Sequence, residues 1–378
     1  MQKKLIALAV AGLVSAPAFA QSNVTIYGIA DVGLGYIDGG KAGDLTGLVN
    51  GGWAGSRLGF RGTEDLGNGL KAVFTLEYGI ELDNNQGVGG SALPARQQFV
   101  GLSGGFGTLV LGRVQSPGYN FAAKYVPMGG YASVHDFLAG TGAGFTIEDS
   151  NRLDNTVVYM TPNFSGFSAT VAYSFGSEVN ETNTYDALTL ATGGTNEADS
   201  VLGVGLNYDN GPLSAGLVYH GVYNVDKVSA GVGKREDINE WALGGSYDFG
   251  VAKAFATYQM REISYVTAGE RDYEDDVWTV GVAVPVGAAG SVSLAYGQHD
   301  GDGSKNEADA WSLAYSHALS KRTSLYAMYA RMSTEDGFVG KSAGVSGKQG
   351  LGLGGGERVA IIGGEDYDRV AIGVRHSF

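Results

Sequence analysis

Residues 56–78 read SRLGFRGTEDLGNGLKAVFTLEY. Two alternating runs flank a break rich in glycine and acid, TEDLGNG (63–69). Before the break, Leu58 and Phe60 alternate with Arg57, Gly59 and Arg61. After it, Leu70, Ala72, Phe74, Leu76 and Tyr78 alternate with Lys71, Val73, Thr75 and Glu77. A period of two with one apolar side is the mark of a β-strand, whose successive side chains point to opposite faces. The stretch therefore predicts two antiparallel strands joined by a tight turn. Arginine near the middle of a lipid-facing strand costs about 2–4 kcal/mol, so in a membrane barrel the apolar side takes the lipid. Arg57, Arg61 and Glu77 then share the inner face.

The same alternation recurs along the chain. In FSATVAYSF (167–175), Phe167, Ala169, Val171, Tyr173 and Phe175 oppose small and hydroxyl residues. In SVSLAYG (291–297) the apolar side is Val292, Leu294 and Tyr296. The chain end, DRVAIGVRHSF, sets Val370, Ile372, Val374, His376 and Phe378 against Arg369, Ala371, Gly373, Arg375 and Ser377. Short turn signals fall at 63–69, 104–107, 161–166, 209–212, 248–250, 285–290 and 318–323. Longer connections fall at 84–94, 115–150, 178–198, 223–237, 265–273 and 335–365. Short turns on one rim and long loops on the other describe a transmembrane antiparallel β-barrel, and the spacing predicts 16 strands. A soluble sandwich shows the alternation but not this asymmetry of connections.

Composition agrees. The chain of 378 residues has 63 glycines, 7 prolines, 21 tyrosines and 15 phenylalanines, which suits many strands with tight turns. It opens with Lys3 and Lys4, an apolar run from Leu5 to Val14, and Ala18-Phe19-Ala20, the pattern of an export leader cleaved after residue 20. The reading is thus a leader at 1–20 and a single barrel domain at 21–378. Losing the leader leaves 23 of the 25 basic residues against 39 acidic ones and takes the net charge from −14 to −16. That balance excludes nucleic-acid binding, which needs a basic surface. The absence of cysteine excludes disulfides and thiol chemistry.

At this point the chain resembles the general, non-specific trimeric porins of Gram-negative bacteria, and their β-proteobacterial branch in particular. The resemblance rests on VTIYGIADVG (24–33), the stretch quoted above, RQQFVGLSGGFGTLVLGR (96–113), NRLDNTVVYMTPNFSGFSATVAYSFG (151–176) and the terminal AIGVRHSF. It implies an outer-membrane homotrimer, set in lipid and lipopolysaccharide, that passes small hydrophilic solutes and inorganic ions by passive diffusion. It also implies a long third extracellular loop, 115–150, folded into the lumen. Arginines on the barrel wall would face that loop, and motif matching places them at Arg57, Arg61, Arg96 and Arg152. Enteric members carry an acid in the loop where this chain has Met128, within YVPMGGY (125–131). Lys124 and His135 flank that segment, and Asp136 is the nearest loop carboxylate. In this respect the chain resembles anion-preferring members.

The candidate pore-lining residues are therefore Arg57, Arg61, Glu77, Arg96, Arg152, Asp136 and Lys124. Alternation places Arg96 and Gln98 inward if Phe99 points outward, and sets Arg152 and Asp154 against Leu153 and Val157. Guanidiniums stay charged even when crowded, and clustered in a narrow lumen they raise local anion concentration. Glu77 supplies the counter-charge. The competing reading puts Arg57 and Arg61 at the rim, paired with nearby acids. For the whole protein, the alternatives are a structural or adhesive barrel with a plugged lumen, or a substrate-specific channel. GLGLGG (350–355) matches a dinucleotide fingerprint without the strand and helix it needs, and DGDGSKNE (300–307) lacks a full calcium ligand set. No nucleophile pairs with a base, so neither an enzyme nor a cofactor is expected.

Overall fold

Antiparallel strands follow one another around the molecule in a computed structural model. It describes residues 23–83, 95–130, 133–134, 138, 152–176, 200–223, 235–265, 272–302, 306–336, 338, 351–352, 358–359 and 361–378. The leader at 1–20, His135 and Asp136 lie outside the described residues. The strands are β1 (Asn23–Asp38), β2 in two pieces (Leu45–Asn50 and Arg57–Gly67), β3 (Leu70–Gly79), β4 (Ala95–Gly104) and β5 (Gly107–Gln115). Next come β6 (Arg152–Met160), β7 (Phe167–Ser174), β8 (Ser200–Asn210), β9 (Leu213–Tyr223), β10 (Arg235–Asp248) and β11 (Lys253–Tyr265). The last are β12 (Tyr273–Val286), β13 (Gly290–Gly301), β14 (Glu307–Ala318), β15 (Thr323–Thr334) and β16 (Asp366–Ser377). Among the described residues this makes the sixteen strand positions that the sequence predicts.

Each strand pairs with the next, and β16 pairs with β1 from Ile29↔Ser377 to Asp38↔Asp368. Gly28 and Phe378 then exchange backbone hydrogen bonds at 3.1 Å in both directions. The sheet closes on itself, which leaves no unpaired edge for lipid to meet. β1 spans both pieces of β2: Val32–Ile37 pair with the first and Asn23–Ile29 with the second. Residues 51–56 leave the ladder between them.

The two faces of the wall differ as alternation demands. On β9 and β10 the cross-strand pair Leu217↔Leu243 is 37% and 58% exposed, while the adjacent pair Val218↔Ala242 is 6% exposed at each residue. Leucines left bare in this way along strand after strand form an outer band fit for lipid. Aromatic pairs bound the band, Tyr219 with Trp241 at 4.6 Å and Tyr247 with Phe249 at 4.7 Å between ring centres. Trp241 and Phe249 lie eight residues apart, roughly 27 Å of strand, or about 20 Å of height at a 40° tilt. No described helix is long and apolar enough to cross a membrane.

Turn chemistry explains the short rim. Between β2 and β3, Asn68 and Gly69 take φ of 53° and 77°, a left-handed pair that a two-residue hairpin turn requires. Both ends of the barrel seam, at Asn23 and Ser377, lie on this rim. The opposite rim is less uniform than expected, since residues 39–44 and 302–306 are short connections there too. Within 335–365 the described residues hold a two-residue pairing, Leu351–Gly352 with Arg358–Val359, and most of the 350–355 stretch lies outside the described residues.

Candidate functional site

The inner face of β1 to β4 gathers charge around one carboxylate. Gly59 pairs with Tyr27 on one side and with Glu77 on the other, so all three positions share a face. A Cβ on Gly59 would fall 2.4 Å from the Tyr27 ring. The bare glycine lets that ring cross over β2, and the Tyr27 hydroxyl donates to Glu77 Oε2 at 3.0 Å. Arg96 Nε donates to Glu77 Oε1 at 2.8 Å, and Arg57 Nη1 lies 4.0 Å from the same oxygen. Arg57 also donates from Nε to the Gly55 carbonyl at 2.8 Å, which holds its fork toward Glu77. Arg61 lies over the Tyr27 ring at 5.0 Å. Glu77 is 4% exposed, and Arg96 Nη2 is buried with no acceptor among the described residues.

Bulges place the remaining arginines. Glu77 pairs with Gln97 and Tyr78 with Ala95, so Arg96 is the extra residue of a bulge. The bulge shifts the phase of β4. Phe99 pairs with Thr75 on the Glu77 face and packs with Val73 inside, whereas Gln98 pairs with the exposed Leu76. The alternation-based placement of Gln98 inward and Phe99 outward is thus reversed. A second bulge separates Gly112↔Thr156 from Val114↔Leu153, with Asn155 at φ 49°. It turns Leu153 inward against Val114 and leaves Asp154 exposed in an ion pair with Arg113. Arg152 meets the Tyr119 ring at 5.1 Å, and its Nε is buried without an acceptor among the described residues.

Tyr119 belongs to α1 (Pro117–Lys124), the described start of the 115–150 connection. Ser116 caps the helix by accepting from the Tyr119 amide at 3.0 Å, and Pro117 occupies its first turn. The Gly118 amide donates to His220 Nε2 at 3.0 Å on the buried face of β9. From there the connection runs along inward-facing glycines. Added Cβ atoms on Gly203, Gly216, Gly244, Gly281 and Gly297 would come within 3.0 Å of Pro117, Tyr125, Phe121, Pro127 and Val134 respectively. Its apolar residues Met128, Val134 and Leu138 bury themselves with Ala295, Ala314 and Met328 of the wall. Lys124 stands apart from the arginines. Its Nζ holds both oxygens of Asp209, at 2.8 and 2.9 Å, toward the short-turn rim.

Further residues shape this space. Asp31 on β1 is 0% exposed and accepts from the Trp53 and Ala54 amides at 3.1 and 2.8 Å, and from the Tyr326 hydroxyl at 2.7 Å. It thereby braces the break in β2. Arg375 on β16 lies over the Trp53 ring at 5.2 Å. The alternation in DRVAIGVRHSF already sets Arg375 on the inner face, while nothing local in GGWAGS signals that Trp53 leaves the strand. Farther round the wall, Arg261 Nε donates to Asp275 Oδ1 at 2.8 Å, a buried pair that His299 Nε2 joins at 3.3 Å. Among the described residues no group of three His, Asp or Glu could hold a metal ion.

A closed barrel with an apolar outer band and a charged interior defines a membrane-spanning channel protein. Residues 7–337 match the family model described as Gram-negative porin, and the chain belongs to that family. It is 37% identical over 387 residues to outer membrane porin protein 32 of Delftia acidovorans, with all of both chains covered. It is 33% identical to an outer membrane porin protein of Bordetella pertussis, over 86% of this chain and 93% of that one. Among solved structures, the anion-selective porin from Comamonas acidovorans superposes with a TM-score of 0.75 at 32% identity. That match covers 95% of this chain and 100% of the other. The protein is thus an outer-membrane channel, not an enzyme.

Proposed function

We propose that the barrel is a water-filled passive pore for small hydrophilic solutes and ions, with a mild anion preference set by Arg57, Arg61, Arg96 and Arg152. The observation that carries this is the sharing of one carboxylate oxygen by two guanidiniums, at 2.8 and 4.0 Å, with buried donors on Arg96 and Arg152 left over. Within this cluster Glu77 is the one described carboxylate among Arg57, Arg61, Arg96 and Arg152, so the cluster keeps a net positive field. Fixed charge at a narrowing replaces part of an ion's hydration and repels co-ions. Low-dielectric walls focus that field on the lumen. Glu77 limits how tightly anions are held, so that they leave again.

The 115–150 connection acts as the constriction loop: its described part starts where Tyr119 meets Arg152, runs along the inner glycines of the wall and reaches Trp53 at Gly130. Lys124 lines the same space but is neutralised by Asp209, and Asp136 is the loop acid that completes the assignment. The likeness to a solved anion-selective porin supports the sign of the preference. The 1–20 leader directs export and is then removed, and assembly as a homotrimer in lipopolysaccharide-containing membrane is what family membership implies. The test is reconstitution. Planar bilayers with the folded protein should show conductance that rises linearly with salt, and liposomes carrying it should swell in small neutral sugars. A folded barrel that neither conducts nor admits sugars contradicts the reading and favours a plugged, structural barrel.

A further inference from the structure

The last strand carries a charge that the four-arginine cluster does not include. Arg375 on β16 stands directly across the seam from Asp31 on β1. Facing charges of this kind ordinarily neutralise one another. Here the carboxylate is already occupied, since Oδ1 takes the Tyr326 hydroxyl and Oδ2 takes the Trp53 and Ala54 amides. Arg375 instead rests over the Trp53 indole at 5.2 Å. Among the described residues its Nε is buried without an acceptor.

Trp53 is itself a fixed platform. Its amide is bonded to Asp31, and its ring meets Tyr326 edge-on at 6.3 Å. Its carbonyl oxygen abuts the loop, because a Cβ on Gly130 would lie 2.5 Å from the carbonyls of both Gly52 and Trp53. The platform therefore sits where the wall and the 115–150 connection meet. Arg57 lies on the other flank of β1, opposite Ile29, and Arg375 lies opposite Asp31, two residues farther along. That offset is about 7 Å along the strand, so both guanidiniums address one stretch of the inner face. A guanidinium stacked on an aromatic ring keeps its full charge while its orientation is set.

The geometry points to Arg375 as a further charge-selectivity residue of the channel, held over Trp53 by the Asp31-braced break in β2 and aimed at permeating anions where wall and loop meet. Trp53 and Asp31 are its positioning residues. The inference rests on the anion-preference reading above, and Arg96→Gln serves as the reference that separates the two.

The readout is the anion-to-cation permeability ratio from reversal potentials in a potassium chloride gradient. Arg375→Gln should lower it roughly two- to fivefold, the effect of one unit charge within a Debye length of the ion path. Arg375→Lys should restore most of it. Because the chain has no cysteine, Arg375→Cys adds a sharper arm. A cationic methanethiosulfonate reagent should raise the ratio, an anionic one should lower it, and a neutral one should leave it unchanged. An unchanged ratio in Arg375→Gln, with a fall in Arg96→Gln, overturns the proposal alone. So does an equal fall in Arg375→Gln and Arg375→Lys, or a cysteine that no reagent reaches. If neither Arg375→Gln nor Arg96→Gln moves the ratio, the anion-preference reading fails and this proposal with it. Should the Gln and Cys variants not fold, Trp53→Leu keeps the charge but removes its rest, and an unchanged ratio there is equally fatal.

Discussion

Glu77→Gln is the perturbation that separates a charge-balanced pore from a merely braced wall. The native carboxylate accepts from Arg96 at 2.8 Å and from Tyr27 at 3.0 Å, and it faces Arg57 at 4.0 Å. Glutamine keeps the shape and one acceptor while deleting the charge. For an ion passing about 7 Å away in water, one unit charge is worth about 0.6 kcal/mol. Screening at 0.1 M salt, where the Debye length is about 10 Å, leaves roughly half of that. Removing the negative charge favours the anion and disfavours the cation by this amount, so the permeability ratio should rise about threefold. At 1 M salt the Debye length shrinks to about 3 Å and the difference should disappear. The assay is the reversal potential in matched salt gradients at low and high mean concentration. An unchanged ratio at low salt, or a shift toward cations, refutes the reasoning.

Other outcomes follow from particular contacts. Gly244→Leu, whose Cβ would fall 2.6 Å from the Phe121 ring, should push α1 off the wall and cut single-channel conductance while the circular dichroism stays that of a barrel. Gly281→Val should likewise cut conductance by displacing the connection at Pro127, whose Cγ would lie 2.5 Å from the added Cβ. Asp31→Asn removes the charge and leaves one acceptor oxygen for three donors, the Trp53 and Ala54 amides and the Tyr326 hydroxyl. Each lost bond to the charged group is worth about 1.5–3 kcal/mol, so the melting temperature in detergent should drop clearly. Glu81, just beyond β3, has its carboxyl held above the ordinary range by burial, partly offset by Asn50 Nδ2 at 2.6 Å. The folded state there binds its proton more tightly than the unfolded state, so stability gained at acid pH is lost as pH rises through the raised value. Glu81→Gln should therefore raise thermal stability at neutral pH and change it little at pH below the carboxylate range.

Much of this is legible in the sequence. Alternation assigns faces because a strand's side-chain period is two, and the turn signals count the strands because each hairpin needs its own left-handed residues. Arg57, Gly59, Arg61 and Glu77 keep that period, and their shared face follows from it. The period fails wherever one extra residue enters a strand. Arg96 and the Asp154–Asn155 pair are such residues, and beyond them Phe99 and Leu153 change sides. Asn155 carries a weak local hint, since asparagine tolerates a left-handed backbone. Arg96 carries none. The break at 51–56 is equally silent, because what holds it is Asp31, more than twenty residues earlier in the chain. The course of the 115–150 connection along the wall depends on glycines spread over five strands, and only the closed barrel brings them into line.

On the proposed function, the channel's charge preference comes from the arginines gathered around Glu77. The most direct test is the reversal potential in a tenfold potassium chloride gradient, measured on the native protein and on the Arg57→Gln/Arg96→Gln/Arg152→Gln variant. The native channel should give an anion-signed potential, and the variant a potential near zero or of opposite sign at preserved conductance. A cation-signed potential from the native protein, or an anion preference undiminished in the variant, would contradict it.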